Sequence, residues 1–66
     1  MRHNLIKARK ALDLTQKNLG ELVGLSRPAI CMLERGRING SESTWKKLAA
    51  VLSATPEHLW QIADAQ

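Results

Sequence analysis

Arg27, Pro28, Cys31, Met32 and Arg35 fall at the spacing of one helix face, and together they bring two guanidiniums and no acid. At about 100° per residue, Ala29, Ile30 and Leu33 then cluster on the opposite side and must face a core. A helix has the width to enter the DNA major groove, and the residues at its amino end would point at base edges. Arg27 suits that task first. Its planar fork can donate two hydrogen bonds to guanine O6 and N7, worth about 1–3 kcal/mol of discrimination against other bases. Pro28, Cys31 and Met32 share the outward face without strong hydrogen-bonding groups, so they can touch a thymine methyl or exclude water but cannot read a donor–acceptor pattern. Met32 also stands near the boundary of the apolar side, where a thioether can complete a core. Cys31 reads as a small, inert filler, because the sequence gives no sign of the activation a reactive thiol needs.

A second group of residues could hold phosphate. Helix amino ends present unpaired amides and the positive end of the helix dipole. Thr15, Gln16 and Lys17 stand at one expected amino end and Ser26 at the next, while Arg35, Arg37 and Asn39 lie just before a third. Together they could clamp a nucleic-acid backbone, and counterion release would make such binding weaken steeply with salt. Other chemistry has little support. With one cysteine there is no internal disulfide, and Cys31, His3 and His58 do not have the spacing of a zinc site. Scattered Ser, His and Asp come with no nucleophile motif, so neither an enzyme nor a cofactor is expected.

These side chains need short helices to position them. Leu5, Ala8 and Leu12 share a face, which predicts a first helix over residues 4–12 that ends before Asp13. Thr15 caps a second helix in which Leu19, Leu22 and Val23 share a face and which ends at Gly24. Ser26 caps a third only two residues later; Pro28 sits harmlessly in its first turn and Gly36 ends it. Two helices joined by so tight a turn must cross steeply. Residues 37–40 read as a loop. Ser41 then caps a fourth helix with Glu42 in its first turn and Trp45, Leu48, Ala49 and Leu52 on its apolar face. Thr55, Pro56 and Glu57 open a fifth, anchored by Leu59, Ile62 and Ala63.

Size and charge agree with this reading. The chain has 66 residues, enough for one domain spanning 1–66, with 44% hydrophobic residues but no Phe or Tyr. That composition favours an all-α core of Leu, Ile, Val, Ala and two Trp. The net charge of +4 makes a polyanion the natural partner. No run approaches the roughly 20 apolar residues of a membrane span, and residues 1–14 are too densely charged for a signal peptide, so a cytoplasmic protein that does not contact membranes is expected.

The ordered set Leu14-Thr15-Gln16, Leu19, Gly24-Leu25-Ser26-Arg27, Ile30, Glu34-Arg35-Gly36, Asn39, Ser41, Thr44, Leu48-Ala49 and Leu52 resembles the Cro/C1-type helix-turn-helix (XRE) family of phage and bacterial repressors. The resemblance implies a compact five-helix, lambda-repressor-like DNA-binding domain with its helix-turn-helix at helices two and three, and a recognition helix over about residues 26–35. It implies Gln16 on a phosphate, Arg27, Pro28 and Met32 towards bases, and a structural ion pair between Arg9 and Glu34. Five positions depart from the family: Gly20 replaces a usual alanine, Asp13 a common glycine and Gly40 a frequent proline, and the other two are on the outward face of helix three. Pro28 and Met32 replace its usual polar readers. A transcriptional repressor acting as a homodimer on a palindromic operator is the leading expectation, with Trp60 and Ile62 as candidate dimer contacts. An antitoxin or restriction-modification controller would use the same DNA contacts beside a toxin or endonuclease. A protein-interaction module without DNA binding would have little reason to keep Arg27, Arg35 and Arg37 around one surface.

Overall fold

Four hydroxyl side chains set where the helices begin. In the structure, a computed structural model that describes residues 1–60, Thr15 Oγ1 accepts the Asn18 amide at 3.0 Å, and Asn18 returns a bond to the Thr15 amide. Ser26 takes the Ala29 amide at 3.3 Å, Ser41 the Thr44 amide at 3.2 Å and Thr55 the His58 amide at 3.2 Å. Each bond satisfies a donor that a helix start would otherwise leave unpaired. The resulting elements are α1 (His3–Ala11), α2 (Gln16–Val23), α3 (Arg27–Arg35), α4 (Glu42–Leu52) and α5 (Pro56–Trp60), and every regular element among the described residues is a helix.

The core draws on all five. Leu5, Leu19, Val23, Ile30, Leu33, Trp45, Leu48, Ala49, Leu52 and Leu59 form one buried cluster, with Ala8, Leu14 and Leu25 packed partly against it. α2 lies on α3 and α4, while α5 is held between α1 and α4. Ala29, expected inside, is half-buried at the rim. Ile62 and Ala63, expected beside Leu59, lie outside the described residues.

Two apolar residues leave the faces assigned to them. Leu12 is 48% exposed, because α1 stops one residue earlier than its periodicity suggests and Leu12 becomes the cap. The chain then reverses through Asp13 at φ 57°, a left-handed conformation that Asp tolerates better than most residues. Leu14 beyond this turn takes up the packing. Leu22 is 58% exposed, since the buried side of α2 is Leu19, Gly20 and Val23. That stripe is centred too far around the helix to include Leu22.

Two of the departures from the family are shaped by close approaches. A Cβ on Gly20 would lie 2.4 Å from the Leu25 carbonyl oxygen, so this α2 runs closer to the following turn than an alanine permits. Gly40 adopts φ +73°, which proline's ring forbids, and lies against Leu33 and the Trp45 indole.

Candidate nucleic-acid interface

α3 follows the turn after α2 with its Ser26-capped amino end exposed. Arg27 and Pro28 are its first two residues and both are exposed; Met32 is 39% exposed and Cys31 half-buried on the same side. Ile30 and Leu33 point the other way, fully into the core. At the carboxyl end the Gly36 amide bonds the Leu33 carbonyl at 3.1 Å and the Arg37 amide the Met32 carbonyl at 2.9 Å, a paired closure that fixes the exit of the chain. Arg35 and Arg37 emerge beside it, both exposed.

The one acid of α3 is removed from this surface. Glu34 is buried, and its Oε2 accepts Arg9 Nε at 2.6 Å. Its Oε1 accepts Arg9 Nη2 at 3.4 Å and Gln16 Nε2 at 2.9 Å. Arg9 completes its fork on the Leu14 carbonyl at 2.8 Å. One carboxylate thus ties α1, the amino end of α2 and the end of α3 together. Breaking such a pair from one side strands a buried charge. The exposed remainder of α3 carries Arg27 and Arg35 and no negative charge.

The positions expected to face phosphate fall into two kinds. Lys17, Arg35, Arg37 and Asn39 are exposed; Gln16 is half-buried with its amide held by Glu34. Thr15 and Ser26 spend their hydroxyls as caps, so what they present outwards is the amino end they cap. Trp60, half-exposed, lines an open groove of about 520 Å³ with Trp45, Pro56, Lys46 and Glu57.

Arg2 is a further residue that the fold buries beside this surface. It is 1% exposed, and among the described residues its partners are not a carboxylate but a set of carbonyls and a ring. Its Nε donates to the Trp60 carbonyl at 2.9 Å, and its Nη1 donates to those of Leu33 at 2.7 Å and Ile38 at 2.9 Å. The Trp45 ring lies under the guanidinium, 5.0 Å from Cζ to the ring centroid. Burial lowers the Arg2 pKa from its usual value. The carbonyls of Leu33, Ile38 and Trp60 take up its donors, and the first of these lies in the last turn of α3, where the helix dipole favours positive charge. Nothing in the spacing of Arg2 marks it, because its partners come from three distant segments.

Among the described residues no helix is long and apolar enough to cross a membrane, and no His, Cys, Asp and Glu cluster could hold a metal ion. Searches of the curated proteins and of the solved structures gave no match. A family model described as Helix-turn-helix matches residues 5–59, a span from α1 to α5 that includes the paired helices α2 and α3. The five-helix arrangement, the tight turn between α2 and α3 and this match together place the chain in the Cro/C1-type helix-turn-helix (XRE) family of DNA-binding proteins.

Proposed function

We propose that the chain is a transcriptional repressor that lays α3 in the major groove of a specific operator. The observation that carries this reading is the burial of Glu34 against Arg9, which leaves the outward side of α3 without an acid between Arg27 and Arg35. Arg27, at the amino end, takes a guanine edge, while Pro28, Cys31 and Met32 contact thymine methyls or exclude water. The capped amino ends at Thr15 and Ser26, with Gln16, Lys17, Arg35, Arg37 and Asn39, hold phosphates on either side. Gln16 keeps a second amide hydrogen for this purpose while Glu34 orients the first.

The exposed Trp60 beside its groove supports a two-fold dimer, so the operator is a palindrome with half-sites about 34 Å apart. Selection of bound sites from random DNA at two salt concentrations tests the whole reading. Arg27→Ala relaxes preference at one base position of the half-site; Arg35→Ala weakens all sequences about equally and reduces the salt slope by about 1. Equal losses on selected and random DNA for both variants would sink the division between reading and clamping.

A further inference from the structure

The loop carrying Arg37 and Asn39 is exposed, yet two of its consecutive carbonyls are pinned from beneath. Arg2 Nη1 donates to the Ile38 carbonyl at 2.9 Å, and Trp45 Nε1 donates to the Asn39 carbonyl at 2.6 Å. The donors are themselves stacked, with the Arg2 guanidinium over the Trp45 ring. Arg2 also reaches the Leu33 carbonyl, and its own amide donates to the Glu34 carbonyl at 2.7 Å, so the loop is referenced directly to the last turn of α3. At Gly40 a Cβ would lie 3.1 Å from the same indole nitrogen, so the chain passes the ring where a side chain would crowd it.

From these contacts we infer that Arg2 and Trp45 form a clip that sets the height and direction of the Arg37–Asn39 backbone relative to α3, making both of them positioning residues for DNA binding. The inference rests on the reading that this loop meets phosphate. Its physical basis is that a bare turn would sample many orientations, and each phosphate contact would then first have to offset the ordering of that turn. Two consecutive carbonyls held by donors on a rigid aromatic and a planar fork leave Arg37 little freedom beyond its own side chain. Neither clip residue touches DNA.

The test uses the full chain and compares Trp45→Phe, Arg2→Lys and Arg37→Ala on one random-sequence duplex across a salt series. Trp45→Phe keeps an aromatic ring in the core but removes the indole N–H donor together with part of the buried ring, and the unfolding midpoint reports the packing loss separately from the salt slope; Arg2→Lys keeps the charge and loses the fork. Losing one phosphate contact lowers the slope of log affinity on log salt by about 0.9, and affinity at 0.1 M salt by about fivefold to tenfold. That change is expected for Arg37→Ala and for both clip variants. The double variant Arg37→Ala with Trp45→Phe should match Arg37→Ala alone. A purely structural role would lower the unfolding midpoint of the clip variants while leaving the slope at the wild-type value, and that result overturns the clip. Additive slope losses in the double variant overturn it too. An unchanged slope for Arg37→Ala removes the loop from the interface, and the clip falls with it.

Discussion

Glu34 is a single carboxylate on which three elements converge, so its chemistry can be weighed residue by residue. Its side chain is 3% exposed and that of Arg9 11%, which places the pair among buried ion pairs rather than surface ones. Two ions taken out of water contribute little net stability while matched, but removing one leaves the other uncompensated, at about 3–5 kcal/mol. Glu34→Gln is therefore expected to destabilise by about that amount, read as a fall in the urea midpoint at unchanged slope. The double variant Arg9→Met with Glu34→Leu should lose less than the two single changes summed, because no charge is stranded. A Glu34→Gln protein within about 1 kcal/mol of wild type would show that a neutral amide in place of the carboxylate, with the Leu14 carbonyl, suffices to hold Arg9. The same residue also matters for recognition. If Glu34 pointed outwards it would set a negative charge between Arg27 and Arg35, on the face proposed to meet DNA.

At the scale of elements, two glycine substitutions of opposite sign test how the turns are built. Gly20→Ala places a methyl 2.4 Å from the Leu25 carbonyl oxygen, so the α2–α3 turn must move. Overpacking of this kind costs about 1–3 kcal/mol, and the helix propensity regained offsets at most about 1. A net loss is expected in thermal unfolding; a stabilised variant would mean the turn yields freely. Ser53, which ends α4 at φ 55°, is the converse case. Ser53→Gly relieves a left-handed conformation and should raise stability by about 0.5–1 kcal/mol, checked by the same melt.

These elements also divide what local sequence can say from what it cannot. The caps at Thr15, Ser26, Ser41 and Thr55 were readable because a hydroxyl three residues before its partner amide is a local fact. Leu12 and Leu22 were misplaced because periodicity counts positions on a face without knowing how wide the partner surface is or where a helix stops. The outward side of α3 followed from its own period, so the exposure of Arg27 and Arg35 was legible. Arg2 and the indole N–H of Trp45 were not, since their acceptors on Leu33, Ile38, Asn39 and Trp60 adjoin them only in the fold.

Over the whole molecule, burial decides how the net charge of +4 is presented. Arg2 and Arg9 are spent inside, and Lys7, Lys10, Lys46 and Lys47 stand on α1 and α4, outside the α2–α3 pair. The charged side chains among the proposed phosphate contacts are Lys17, Arg35 and Arg37. Three neutralised phosphates predict a salt slope of roughly −3 for one subunit and about −5 to −6 for a pair on a palindrome. The proposed dimer makes Trp60 the link between that number and assembly. Its side chain is 53% exposed, while its carbonyl, which anchors Arg2, would survive a change of side chain. Trp60→Ser should therefore leave the fold intact, lower self-association in sedimentation, and reduce the slope on a full palindrome towards the one-subunit value. If sedimentation and slope both stay at wild-type values, Trp60 does not hold the dimer. If self-association falls while the slope persists, DNA itself brings the two subunits together, and Trp60 governs only their association in free solution.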